Sequence, residues 1–290
     1  MEKENNHFLS VDVEDWYHSE YLRHFAKEKV PRIEKTIPLL LDILRKHNTT
    51  ITFFTLGDIA DKHPDVVKEI SANGHEVASH CYSHTPLWNL NRKTFEEELR
   101  RTEKALRKAT GKKVIGFRAP YYSIAKEQSW AIEILRKRNY CYDSSIFPMK
   151  TPLYGAPGAP LEPYKPSKDN IYIHNEKEKL REYPISVLRI GKINIPLAGG
   201  FYLRAFPYIL TKSMIKLLQK QKRSINMIIH PWEIDRNIPR LDVPLKNRLI
   251  SYYGIRKNLQ KFENLIKTLK FKSFKEDIKE NGISKGNQKT

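Results

Sequence analysis

Cysteine is scarce. Among 290 residues only Cys81 and Cys141 carry a thiol, too few for a disulfide scaffold and in keeping with a reducing compartment. Long apolar runs are missing as well: no stretch approaches the roughly 18 consecutive apolar residues that a membrane-crossing helix needs. The first six residues are polar and hold no apolar core, so no secretory signal is expected. Acidic residues are in deficit, 33 Asp and Glu against 52 Lys and Arg, for a formal net charge of +19. No zinc ribbon, RNA-binding sheet motif or helix-turn-helix punctuation accompanies that charge, so nucleic acid is not expected as a partner. What is present excludes disorder: hydrophobic residues make up 40% of the chain and aromatic ones 11%, enough to bury a sizeable core.

Short β-branched or aromatic runs alternate with longer amphipathic ones. Residues 7–13 read as a strand, 33–47 as a helix with Pro38 in or near its first turns, and 50–56 as a second strand. A helix over 65–73, closed by Gly74, leads to a strand over 76–79. A charged helix over 92–110, ended by Gly111, leads to a strand over 113–117, then a helix over 127–138 and a strand over 140–142. The alternation breaks in an irregular, proline-rich insertion over about 147–182. It resumes with a strand over 183–189, a helix over 206–222 and a strand over 224–229, and a closing helix spans about 245–270. Residues 1–280 are expected to form one domain, and 281–290 a basic disordered tail. Strand followed by helix, repeated roughly seven times, implies parallel strands with right-handed crossovers.

Polar residues cluster where those strands end: Asp12, Glu14 and Asp15; His80 and His84; Arg118; Asp143; and His230. In a closed parallel barrel the C-terminal strand ends converge on one mouth, where functional groups sit. An α/β barrel is therefore favoured over an open sheet. Three carboxylates within four residues repel one another unless a cation is near. The H-x3-H spacing of His80 and His84 allows two imidazoles to meet one ion. Arg118 can hold a carboxylate in a forked contact.

This set, in this order, resembles the NodB-homology polysaccharide deacetylases (carbohydrate esterase family 4). The pieces that carry the resemblance are SVDVEDWY, EVASHCYSH, GFRAPYYSI, YDSSIFP, GGFYLR and HPWEID, over roughly residues 8–240. Their wording is closest to a branch associated with exopolysaccharide biosynthesis. The resemblance implies a distorted (β/α)7 barrel, a TIM-like fold that removes an N-acetyl group from an amino sugar with the help of a divalent metal, zinc. It implies Asp12 as catalytic base, Arg118 as its partner, and the Tyr121 backbone N–H as oxyanion donor. It further implies His230 as general acid with Asp143 raising its pKa, and His80 and His84 as metal ligands. The third ligand is Asp15 if the strand ends at Val13 and turns, or Glu14 if the ligand lies two residues after the base; Asp15 is favoured. The block with Gly200, Tyr202 and Arg204 is expected in the substrate cleft, and Trp16 and Trp232 are expected to stack on sugar rings.

The expected activity is metal-dependent N-deacetylation of an amino-sugar polysaccharide or a lipid-linked precursor. The expected place is the cytoplasm, possible contact with the anionic inner face of the membrane being supplied by the basic C-terminal part. Residues 256–290 hold ten Lys and Arg against four Asp and Glu. Two alternatives compete: metal-free hydrolysis of a cyclic amide, in the manner of allantoinase-like relatives, and a catalytically silent barrel that binds carbohydrate or nucleic acid.

Overall fold

The computed structural model describes residues 6–281. The expected tail therefore lies, except for Asn281, outside the described residues. Among the described residues, seven of the eight parallel strands of one sheet form the curled wall that organises the molecule. They are β1 (His7–Val13), β2 (Thr52–Thr55), β3 (Glu76–Ser79), β4 (Gly116–Phe117), β5 (Tyr142–Asp143), β6 (Arg181–Glu182) and β9 (Ile225–Ile229). Their spatial order is β9-β1-β2-β3-β4-β5-β6.

β1 is buried along its whole length, so both of its faces must be matched. Leu9, Val11 and Val13 face outward, into a core shared with Ile33, Ile37, Leu40, Leu41 and Leu44 of α1 (Ile33–Lys46). Each such side chain, fully buried, contributes roughly 1.5–3 kcal/mol. The alternate residues face inward. Phe8 meets Phe54, Tyr142, Tyr183 and Phe274 in an aromatic floor, the Phe8 and Phe274 rings stacked at 4.9 Å. Above that floor the Arg118 guanidinium lies 4.0 Å over the Phe54 ring. Along one strand the interior thus changes from apolar to ionic.

The ring closes between β6 and β9 without a ladder between those two strands. Just beyond β6, Ser186 donates its N–H to Asn226 O at 3.1 Å, and Asn226 N–H returns to Ser186 Oγ at 2.8 Å. The Asn226 side chain donates to Tyr183 O at 2.9 Å. Side chains suture what two-residue strands cannot join by backbone alone.

Helices α2 (Gly57–Lys62), α3 (Pro64–Ala72), α4 (Arg92–Thr110) and α5 (Trp130–Lys137) cover the outside of β2 to β5. The strand expected over 183–189 is divided. Its second part is β7 (Val187–Ile190), in an antiparallel hairpin with β8 (Ile193–Pro196). Two helices follow, α6 (Gly200–Ala205) and α7 (Tyr208–Lys220).

The single closing helix expected over 245–270 is two helices, α8 (Leu245–Tyr252) and α9 (Ile255–Thr268). Gly254 separates them at φ 76°, a left-handed conformation that side chains disfavour. An unanticipated last unit follows: β10 (Phe271–Lys272) pairs with His7 and Phe8, and α10 (Phe274–Glu280) seats Phe274 in the floor. Among the described residues no helix is long and apolar enough to cross a membrane.

Candidate active site

The period of a strand builds one side of the site. Ser10, Asp12 and Glu14 alternate onto the inner face of β1 and its extension, and a tight turn, Glu14 N–H to Asp12 O at 2.9 Å, ends the strand there. Glu14 Oε1 lies 2.8 Å from His84 Nε2 and 3.1 Å from His80 Nε2. His80 Nδ1 is 2.8 Å from Arg118 O, a contact in which Nδ1–H donates to that carbonyl and Nε2 is left to face Glu14. The loop carrying both histidines is bent hard. Cys81 and His84 each sit at φ 61°, and Glu98 of α4 accepts the N–H groups of Tyr82 and Ser83 at 2.8 Å. Non-glycine residues in that region cost of order 1–3 kcal/mol each and persist where the surroundings enforce them.

Asp12 is held from the other side. Its Oδ1 accepts Arg118 NH1 at 2.6 Å, and its Oδ2 stands 3.7 Å from His80 Nε2. Arg118 is fully buried, donating also to Ser10 Oγ at 2.8 Å, Ser144 O at 3.0 Å and Ser144 Oγ at 2.9 Å. His230, immediately after β9, brings Nε2 to 3.8 Å from Glu14 Oε1, while its Nδ1 lies 3.2 Å from Glu233 Oε2.

Burial alone would raise the Glu14 carboxyl; the His84 and His230 cations, with hydrogen bonds from His80 and His84, outweigh it and hold the group well below the usual carboxylate range. Burial works against the His230 cation too, yet Glu14 and Glu233 push its pKa up to about 9. The neighbouring His18 behaves oppositely: burial and the nearby His84 push it down to about 4. Tyr121, at φ 56°, packs its ring 4.6 Å from that of His84. No acceptor for its amide N–H is found among the described residues.

Several expectations are corrected by this geometry. Asp15 is turned away from the histidines and works as a cap, Oδ1 accepting Trp16 N–H at 2.9 Å and Oδ2 accepting Arg32 and Ile33 N–H at 2.6 and 3.1 Å. Both oxygens are spent on backbone amides, which leaves Glu14 as the acid facing the imidazoles. Asp143 does not reach His230. It is hydrogen-bonded to Glu182 and accepts from Ser145 Oγ, whose oxygen in turn accepts Ala119 N–H at 2.8 Å. Arg204, 2% exposed, points inward to Glu233 at 3.0 Å rather than toward a cleft, and Gly200 is buried against the same carboxylate. Trp16 and Trp232 are buried in one core cluster, Trp232 stacking on the His230 ring at 5.4 Å. Tyr202 is half-buried between Phe201 and Phe206.

Comparison with known proteins bears on the whole chain. A polysaccharide deacetylase family model matches residues 28–140, and a domain of unknown function (DUF3473) matches residues 144–279. The chain carries a polysaccharide deacetylase domain. The chain is 38% identical over 104 residues to a peptidoglycan-N-acetylglucosamine deacetylase of Bacillus cereus, covering 36% of this chain and 38% of that protein. It is 37% identical over 67 residues to a chitooligosaccharide deacetylase of Rhizobium leguminosarum bv. trifolii, covering 23% and 31%. The chain thus spans about a third of the length of these curated relatives. A Mycobacterium smegmatis structure of the polysaccharide deacetylase type superimposes with a TM-score of 0.61 at 17% identity, over 97% of this chain and 92% of that one. The curled parallel sheet with its helices is the (β/α)7 barrel-like fold of these enzymes. A pseudoenzyme of the same family, at 14% identity, superimposes with a TM-score of 0.51, so an activity has to be argued from side chains rather than from the fold.

Three residues around this cluster were not marked as site residues by the sequence. Glu233 stands three residues after His230, a spacing that signals a capping box. His18 stands three after Asp15 and returns its Nδ1 to the Asp15 N–H at 3.0 Å, the same signature. Trp88, 43% exposed, stands 6.3 Å from the Tyr121 ring; nothing in its local sequence marks it.

Proposed function

We propose that this chain hydrolyses N-acetyl groups on an amino-sugar polymer, or on a lipid-linked precursor of one, with a zinc ion held by Glu14, His80 and His84. The observation that carries the reading is convergence: ligand atoms of those three buried residues lie within 4.8 Å of one another, beside Asp12 with Arg118 on one flank and His230 on the other. Two imidazoles and a carboxylate are a donor set suited to zinc with positions left for water and substrate. One such ion polarises an acyl oxygen and acidifies a water, which answers the poor reactivity of both an amide and water.

The remaining roles belong to the chain's own groups. Asp12 Oδ2 accepts the water's proton, its other oxygen being fixed by Arg118. The Tyr121 N–H donates to the oxyanion as the carbonyl carbon becomes tetrahedral. His230, protonated at neutral pH, gives its Nε2 proton to the departing amine. Trp88 and Tyr121 offer aromatic faces beside His84 on which the apolar face of a sugar can stack. The motif wording favours a polymer of the exopolysaccharide class. The basic C-terminal part suits work at the inner face of a membrane, with no nucleic-acid partner.

The test is acetate release from N-acetylated chitooligosaccharide and peptidoglycan fragments by the full chain. Release that is lost on chelation, restored by zinc and lost in His80→Ala is the expected result. No release from any such glycan overturns the reading. Cyclic-amide hydrolysis that survives chelation would replace it with the metal-free alternative.

A further inference from the structure

We infer that Glu233 is the positioning residue of the proton donor His230, and that residues 144–279, the part matched to a domain of unknown function, are built to hold that carboxylate. The kinetic side of this inference rests on the deacetylase reading above; the geometric side does not.

Glu233 is 1% exposed. A carboxylate so buried costs several kcal/mol unless it is paired. Its Oε2 accepts the His230 backbone N–H at 3.0 Å and lies 3.2 Å from His230 Nδ1, and its Oε1 accepts Arg204 Nε at 3.0 Å. Arg204, itself buried, needs further acceptors. It finds them where α8 ends, NH1 donating to Tyr253 O at 2.7 Å and NH2 to Ile250 O at 2.8 Å. Carbonyls at a helix C-terminus lack partners and carry the negative end of the dipole, so they suit a guanidinium.

The rest of the segment is shaped around this pair. A Cβ on Gly200 would stand 1.5 Å from Glu233 Oε2, and one on Gly254 would stand 2.5 Å from Arg204 O. Asn258 of α9 donates to Glu233 O at 3.0 Å. Lys261 donates to the carbonyls of Leu203, Arg204 and Phe206 at 3.0, 2.9 and 2.6 Å, fixing the end of α6.

A capping box explains the contact of Glu233 with the His230 N–H. It requires no arginine, no glycine cradle and no buried asparagine behind it. What these add is a fixed negative charge at His230 Nδ1. That charge keeps the Nδ1 proton in place and turns Nε2 toward Glu14 and the mouth of the site. Nε2 is then the atom that loses a proton to the departing amine, while Glu233 stays ionised throughout.

Glu233→Gln keeps an acceptor for the His230 N–H and removes the charge. For acetate release from an N-acetylated oligosaccharide, kcat should fall about 100-fold, the scale of lost general-acid catalysis, with KM within about twofold. For an aryl acetate whose nitrophenolate leaves without a proton, the loss should stay below about threefold. Equal losses on both substrates, or no loss on either, overturn the inference. The double variant Glu233→Gln/Arg204→Gln removes both buried charges, so a folding defect caused by an orphaned guanidinium is relieved; the amide-specific loss should persist there.

A second readout needs no activity. In the 15N NMR spectrum of histidine-labelled protein, His230 should show a hydrogen-bonded, downfield Nδ1 proton that disappears in Glu233→Gln. An unchanged signal overturns the inference. A wild type that shows the signal but releases no acetate overturns the deacetylase reading and leaves the positioning role standing.

Discussion

On the β1–β3 wall, Glu14 has two imidazoles within 3.1 Å, whereas on the β9 wall His230 is backed by Glu233 and then by Arg204. The first wall gathers donors around an anion and leaves a place for a cation. The second alternates cation, anion, cation, closes each charge with the next, and ends on helix carbonyls. The first arrangement recruits something from outside; the second is complete in itself. The two also differ in origin, since the first comes from residues 28–140 and the strand before them, and the second from residues 144–279.

That contrast can be broken on the first wall most severely. Glu14→Ala should abolish both zinc stoichiometry, measured by elemental analysis, and acetate release, a loss greater than the roughly 100-fold that changes behind the ligands cost. His230→Ala should lower kcat by about 10²–10⁴-fold while bound zinc stays stoichiometric, because it lies on the self-contained wall. A His230 variant that loses its metal would erase the distinction. Trp88→Ala should raise KM for an oligosaccharide roughly threefold to tenfold, the worth of one aromatic contact, with kcat and zinc unchanged.

Asp15→Ala sharpens the comparison by addressing the acid beside Glu14. It should cost about 0.5–2 kcal/mol, as cap removal does, seen as a lowered Tm, with zinc content intact. The smallest effect concerns pH. Burial pushes Asp143 up to about 6, and burial together with Asp143 raises Glu182 well above the usual range. Carboxyls raised in the folded state contribute stability at low pH, which is lost as pH climbs from about 4 through about 6. Glu182→Gln should therefore gain Tm relative to wild type between pH 4.5 and 7.5, measured by scanning fluorimetry; a constant difference would mean that the pair does not share a proton.

Much of the first wall could be read before any coordinates. Asp12, His80, His84 and Arg118 announce themselves because short strands end abruptly in polar residues, and a parallel sheet sends all those ends to one rim. Glu14 against Asp15 was decidable as well. Strand alternation puts Ser10, Asp12 and Glu14 on one face; the strand does end at Val13 as expected, but the alternation carries one residue past that end, and Asp15 is spent on capping. The second wall resisted for a different reason. Arg204 and Glu233 look like surface charges in sequence, and only the meeting of α6, α8 and α9 buries them together. The same holds for β10 and α10, where lysines hide a core phenylalanine. The break at Gly254 was visible as a glycine but not as a helix boundary, because the flanking residues keep a helical rhythm.

The placement of β1 has a consequence for how the molecule is made. Two of this strand's neighbours, β9 and β10, lie more than two hundred residues further along the chain. Its acid-bearing stretch can take β2 early, but its other edge stays uncovered until β9 and β10 have been made. Contacts that distant in sequence form slowly and leave strand edges exposed meanwhile. Nascent chains of this protein should therefore depend on chaperones until β9 and β10 have cleared the exit tunnel.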